Sequence, residues 1–103
     1  MIKLEDISND KSIKKNNKIS IFDCYRIGNR IFGNIGISGN TSLINNEVLI
    51  EFPFIAKNTF RRETKIEYLA AYIMYNSNKF QVQVGIDTVS TVNYEIWNFE
   101  FYI

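Results

Sequence analysis

The sequence lacks several of the residue types from which catalytic and metal sites are usually built. It contains no histidine and a single cysteine among its 103 residues. The missing histidine excludes Ser-His-Asp and Cys-His nucleophile systems and histidine-based zinc sites, and one cysteine cannot form an intrachain disulfide. We therefore expect a protein that is not an enzyme and that uses no cofactor and no metal.

An excess of one charge and long apolar runs are missing as well. Twelve basic against eleven acidic residues leave a net charge of +1, whereas nucleic-acid-binding domains usually carry a strong basic excess. No apolar run approaches the roughly 20 residues of a membrane-spanning helix, and no signal-peptide pattern opens the chain. From these absences we expect no nucleic-acid partner and no membrane insertion.

The remaining motifs for chemistry are weak. The five glycines are scattered, and none of them precedes a Lys-Ser or Lys-Thr pair as a phosphate-binding loop requires. A glycosidase needs only two placed carboxyl groups, but the glutamates here fall on polar strand faces, so hydrolysis is the weaker alternative. Cys24 lies within a predicted strand without an activating histidine and is interpreted as a small buried hydrophobic residue.

What the sequence does contain favours strands. Aromatic residues make up 15% and hydrophobic residues 46% of the chain, enough to fill the core of one domain of this length. Isoleucine prefers strands and asparagine prefers turns, and both are abundant. Residues 1–18 are predicted to form an N-terminal arm or an edge segment, and residues 19–103 to form the folded domain.

The first half of that domain predicts a hairpin and a separate strand. Two apolar runs flank Gly28-Asn29, as in a two-residue hairpin turn in which glycine supplies a positive φ. Residues 39–46 have the composition of a loop. Residues 47–52 then alternate as a strand, which Pro53 ends because proline cannot donate to a strand ladder.

The second half predicts a long hairpin and a closing strand. Residues 64–75 alternate at period two and lead through a short turn into the alternating run 80–86, although helix-favouring residues leave a helix open for 64–75. Residues 94–103 place four large apolar side chains on one face. Six or seven strands without a convincing helix predict an all-β antiparallel sandwich.

Several segments, taken in order, resemble one protein family. They are the Tyr-Arg-Ile-Gly-Asn-Arg-Ile-Phe-Gly run at 25–33, the strand 48–52 with Pro53, the hairpin ending at Ile86, and the aromatic run at 99–103. This order is similar to the C-terminal head domains of bacteriophage tail-fibre and baseplate receptor-binding proteins. The resemblance spans about residues 19–103.

The resemblance implies a jelly-roll sandwich that packs as a homotrimer and binds host cell-wall saccharide at the phage tail tip of the virion, without turnover. A chain made in the host cytoplasm without a signal peptide fits that location. Four polar residues in predicted loops are the candidate ligand-binding residues: Asn58, Arg61, Arg62 and Asp87. The alternative is a small phage or mobile-element protein that inhibits a host factor by protein contact.

Overall fold

The computed structural model describes residues 2–64, 69–85 and 90–103. Within these ranges the secondary structure is entirely β, which excludes the helical alternative for the described part of 64–75. The strands, in chain order, are β1 (Leu4–Asp6), β2 (Lys14–Lys15), β3 (Ile21–Ile27), β4 (Arg30–Leu43), β5 (Val48–Glu51), β6 (Phe60–Glu63), β7 (Ala70–Ile73), β8 (Lys79–Gln83) and β9 (Ser90–Tyr102).

These strands form two antiparallel sheets that pack face to face. The four-stranded sheet has the order β1-β3-β4-β9, and the five-stranded sheet has the order β2-β5-β8-β7-β6. The predicted antiparallel β-sandwich is therefore confirmed, while its jelly-roll character stays a prediction. The segment before Ile19 contributes an edge strand to each sheet, because β1 pairs with β3 and β2 pairs with β5.

The core lies between the sheets and is built from the inward-facing positions of the long strands. An aromatic cluster joins the two layers: the Phe52 ring lies 5.0 Å from Phe101 and 6.0 Å from Phe99, and Phe80 lies 5.7 Å from Phe99. The largest fully buried side chains are Trp97, Phe52, Phe80, Phe101, Ile31, Ile35, Ile37, Leu43, Leu49, Ile50, Ile73 and Val82.

The β3–β4 hairpin forms where the sequence predicts it. Ile27 pairs with Arg30 across a two-residue turn, and Gly28 adopts a φ of 57°, as a primed hairpin turn requires. Gly33 pairs with Cys24 in the same hairpin, and a Cβ atom at this glycine would overlap the carbonyl oxygen of Asp23. The two backbones approach so closely here that only glycine fits.

Two predictions about strand extent are wrong. Residues 39–46 are not a loop throughout, because β4 continues to Leu43 and pairs with β9 beyond a bulge between Ser38 and Thr41. Residues 64–75 are not one strand: the backbone amide of Thr64 donates to the carbonyl of Leu69 (3.1 Å), and the strands before and after this contact, β6 and β7, pair with each other. The amino-acid composition of each segment does not indicate which strand it pairs with.

Candidate functional site

The outer face of the four-stranded sheet carries an unusual mixture of aromatic and polar side chains. Residues paired across antiparallel strands point to the same side of a sheet. Phe32 is paired with Tyr25 on β3 and with Glu100 on β9, and Asn34 is paired with Asn98 on β9. The alternate positions around them are buried and apolar, so this mixed set faces away from the core; they are Cys24, Ile31, Ile35, Trp97, Phe99 and Phe101.

These side chains surround a groove of about 290 Å³. Gly33 lies between Phe32 and Asn34 on β4 and contributes backbone atoms to the lining of the groove. The volume is near the lower end of the range for small-molecule sites. The groove is lined by Tyr25, Arg30, Phe32, Gly33, Asn34, Arg62, Asn98, Phe99 and Glu100.

An aromatic–cationic stack forms one wall of the groove. The Tyr25 and Phe32 ring centroids lie 5.7 Å apart at an interplanar angle of 33°. The guanidinium carbon of Arg30 lies 4.2 Å from the Phe32 centroid, within the range of a cation–π contact. The stack limits the freedom of all three side chains and so gives the groove a defined apolar wall.

A charged pair fixes the position of Arg30. Its Nε lies 3.0 Å from Glu100 Oε1 and its Nη2 donates to Oε2 at 3.2 Å, an arrangement in which both ends of the carboxylate are engaged. The hydroxyl of Tyr102 also donates to Glu100 Oε1 at 3.0 Å. The hydrogen bonds from Arg30 and then Tyr102 lower the pKa of Glu100, and the hydrogen bond to Glu100 raises the pKa of Arg30.

The two amides in the groove differ from these charged groups because they are unengaged. Within residues 2–64, 69–85 and 90–103, the side-chain amides of Asn34 and Asn98 make no hydrogen bond. Each amide offers one acceptor and two donors. The groove therefore combines an ordered aromatic and ionic wall with two amides that are free to bind a polar ligand.

The structure brings only part of the predicted site to this groove. Arg62 lines it, whereas the neighbouring Arg61 donates to Gln83 Oε1 at 2.9 Å on the outer face of the five-stranded sheet. Asn58 accepts a hydrogen bond from the Tyr102 backbone amide at 2.8 Å and so holds the end of β9 beside the groove. The prediction that both arginines lie in a loop is wrong, because β6 contains them. Asp87 lies outside the described residues.

Sequence reasoning did not select Arg30, Asn34, Asn98 and Glu100 as site residues. Their signal is the alternation itself, since Arg30, Phe32 and Asn34 occupy the non-core face of one predicted strand, and Asn98 and Glu100 occupy that face of another. What the alternation does not specify is that these two strands are neighbours. The register of β4 with β9 supplies that information.

The outer face of the five-stranded sheet is a weaker candidate because its polar groups bind each other. The Tyr72 hydroxyl donates to Asn46 Oδ1 at 2.8 Å, and Gln81 Nε2 donates to the Asn46 carbonyl at 2.9 Å. Arg61 and Gln83 are paired as described above. A ligand on this face would have to replace hydrogen bonds that already exist, which reduces the gain on binding.

Metal and nucleophile sites are not seen in the part of the chain that the structure describes. No cluster of three or more Cys, Asp or Glu residues able to hold a metal ion occurs there. The single cysteine, Cys24, is fully buried, and burial, followed by the charges of Asp6 and Asp10, raises the pKa of its thiol to about 12. No helix among the same residues is long and apolar enough to cross a membrane.

Comparisons with family models, with curated proteins and with solved structures found no match for this chain. Function is therefore inferred from the groove and from the sequence resemblance.

Proposed function

We propose that this chain is a saccharide-binding head domain of a phage tail receptor-binding protein. In this proposal it binds a saccharide of the host cell wall at the tail tip and does not change it chemically. The observation that carries the proposal is the groove on the four-stranded sheet, where an ordered aromatic wall faces two unengaged amides.

The chemistry of a sugar ring fits this arrangement. The C–H groups of a pyranose ring form an apolar face that packs on an aromatic ring such as Tyr25, and its hydroxyls are both donors and acceptors. Asn34 and Asn98 offer the complementary groups. A small number of placed polar groups beside apolar surface is typical of ligand sites that bind without covalent chemistry.

The lowered pKa of Glu100 supports binding without hydrolysis. Glycosidases use two carboxyl groups, and the one that acts as the acid needs a raised pKa. Glu100 is the carboxylate among the groove-lining residues, and its hydrogen bonds with Arg30 and Tyr102 lower its pKa. It is therefore suited to hold Arg30 in place and poorly suited to donate a proton.

A patch of exposed apolar side chains supports the homotrimer. Next to the groove, on the same outer face, Ile21 and Ile96 flank Gly36, which has no side chain to separate them. Tyr94 follows on β9 and is 62% exposed, and Ile96 is 41% exposed. Contact between copies would cover this patch, and three linked grooves would bind a repeating polysaccharide with avidity.

An array of bacterial cell-wall polysaccharides tests saccharide binding. Asn98→Ala removes one unengaged amide from the groove, and Asn93→Ala removes an exposed amide from the same strand outside the groove. We expect the first substitution to weaken binding about tenfold, since one hydrogen bond contributes about 1 kcal/mol or somewhat more, and the second to leave it unchanged. Equal effects of the two variants, or no binding by the unmodified protein, would contradict the proposal.

Light scattering on the purified protein tests the trimer. A trimer has three times the monomer mass of 12.1 kDa. We expect Ile96→Glu to give monomers and Ile44→Glu, a site at least as exposed that follows the end of β4, to leave the trimer intact. A monomeric parent protein would refute the homotrimer, and a single stoichiometric protein partner from a host lysate would favour the inhibitor alternative.

A further inference from the structure

We infer that the saccharide bound in this groove carries an anionic group, a carboxylate or a phosphate, and that Arg62 contacts it. This inference rests on the proposed saccharide binding and specifies the chemical class of the ligand. It comes from the balance of charges around the groove, in which one arginine is neutralised and the other is not.

The two arginines that line the groove differ in their ion pairs. Arg30 and Glu100 form a close pair, so together they add little net charge. Arg62 reaches the groove from β6, the edge strand of the other sheet, and its guanidinium carbon lies 6.0 Å from the centroid of the Phe60 ring. Among the described residues no carboxylate lies within ion-pair distance of Arg62. Its charge and its donors are therefore available to a ligand.

Apart from Glu100, which is paired with Arg30, the acidic residues of this sheet face lie on the opposite side of the groove. Asp23 on β3 is paired with Asn34, and Asp6 on β1 is paired with Tyr25. β3 and β9 are two strand spacings apart, roughly 10 Å. The surface is thus acidic toward β1 and β3 and positive at the β9 edge, so an anionic substituent is favoured at Arg62 while the sugar ring occupies the centre.

Arg61 provides a matched comparison one residue away. Its guanidinium lies 3.6 Å from the Glu63 carboxylate and is hydrogen-bonded to Gln83 on the outer face of the other sheet. The two residues have the same side chain, the same strand and similar exposure. A general effect of positive charge on binding would therefore be the same for both, whereas an anion site in the groove depends on Arg62 alone.

The experiment measures binding of three polymers to the full chain and to the variants Arg62→Gln, Arg62→Lys and Arg61→Gln. The polymers are neutral dextran, polygalacturonate and poly(glycerol phosphate), so the last two distinguish a carboxylate from a phosphate. Inorganic phosphate is added as a competitor, and each titration is repeated at low and high salt. Thermal melting confirms that each variant is folded.

We expect one anionic polymer to bind with an affinity that salt reduces and that Arg62→Gln lowers about tenfold. Arg62→Lys should have an intermediate affinity, because lysine keeps the charge but loses the planar pair of donors. Arg61→Gln should stay within twofold of the parent protein. If only inorganic phosphate competes, and if it displaces the polymer from Arg61→Gln and Arg62→Gln at similar concentrations, a groove site is refuted.

The outcomes separate this inference from the proposed function. Binding of dextran or another neutral glycan that neither salt nor Arg62→Gln changes would overturn the anionic ligand and leave saccharide binding intact. Equal losses in Arg61→Gln and Arg62→Gln would also overturn it. Absence of binding to every saccharide, on these polymers and on the cell-wall array, would refute the proposed function itself.

Discussion

Substitution of Gly33 by alanine tests the close approach of β3 and β4 beneath the groove. A Cβ atom at this position would overlap the Asp23 carbonyl oxygen and would lie 2.8 Å from the Asp23 carbonyl carbon and 3.0 Å from the Cys24 Cα. Non-bonded carbon atoms pack at about 3.5–4.0 Å. The two backbones must therefore separate by at least about 0.7 Å, which lengthens the adjacent ladder hydrogen bonds beyond their normal range.

The cost follows from these contacts. Loss of about two backbone hydrogen bonds at ~1 kcal/mol each, together with ~1–3 kcal/mol of overpacking, predicts a destabilisation of about 3–5 kcal/mol. Alanine recovers only about 0.5–1 kcal/mol of this, because glycine loses more conformational entropy in a strand. A domain of this size is stable by about 5–15 kcal/mol, so the variant is expected to be marginally folded.

Urea unfolding followed by the fluorescence of the single tryptophan, which is buried, measures this cost. Gly39→Ala is the control, since nothing lies within 4 Å of a Cβ there and only its φ of 79° opposes the substitution. That conformation costs alanine about 1–2 kcal/mol. If both variants lose the same stability with unchanged m-values, the close approach of β3 and β4 does not exclude a Cβ atom at residue 33.

Three further predictions concern single side chains. Trp97 is buried but its Nε1 has no hydrogen-bond partner among the residues that the structure describes, so Trp97→Phe should cost far less than the about 3–5 kcal/mol of Trp97→Ala, as measured by urea unfolding followed by circular dichroism; equal costs would argue against this. Burial tends to raise the pKa of Glu47, but its hydrogen bonds with Lys18, Ile44 and Asn16 outweigh burial and lower it. The stability Glu47 contributes is therefore present above its ordinary pKa of 4.5 and is lost as pH falls through the lowered value; melting temperatures from pH 7 to 3 should fall less for Glu47→Gln than for the parent. Cys24 should react with a thiol reagent at pH 8 only in urea, since burial keeps its thiol protonated, and rapid labelling of the native protein would contradict its buried position.

The sequence alone is sufficient for the elements in which local pattern and tertiary environment agree. The alternation at 94–103 predicts the buried face of β9, and Trp97, Phe99 and Phe101 are all buried. The glycine turn at 28–29 predicts the β3–β4 hairpin. In both cases the hydrophobic period and the turn chemistry indicate the same structure, which is the condition under which sequence patterns are reliable.

The failures occur where the partner strand decides the structure. Gly39, Asn40 and Ser42 are typical of loops, yet this segment belongs to β4 because β9 continues beside it and offers hydrogen bonds beyond the bulge. The period-two alternation of residues 64–75 does not reveal that the chain reverses between β6 and β7, which pair with each other. Strand propensity depends strongly on such neighbours, and one sequence does not specify them.

The candidate site also depends on which strands are neighbours, and in particular on the register of β4 with β9. Arg30 and Glu100 are 70 residues apart and form an ion pair only because Arg30 is paired with Tyr102 and Phe32 with Glu100. A slip of β9 by one residue would turn its outward polar residues inward and expose Trp97, Phe99 and Phe101. Burial of each such aromatic side chain is worth about 1.5–3 kcal/mol, so the core opposes the slip far more strongly than the surface ion pair does. The groove is therefore positioned by the core aromatics on the opposite face of the sheet, and its own polar residues can vary to suit a ligand with little cost to the fold.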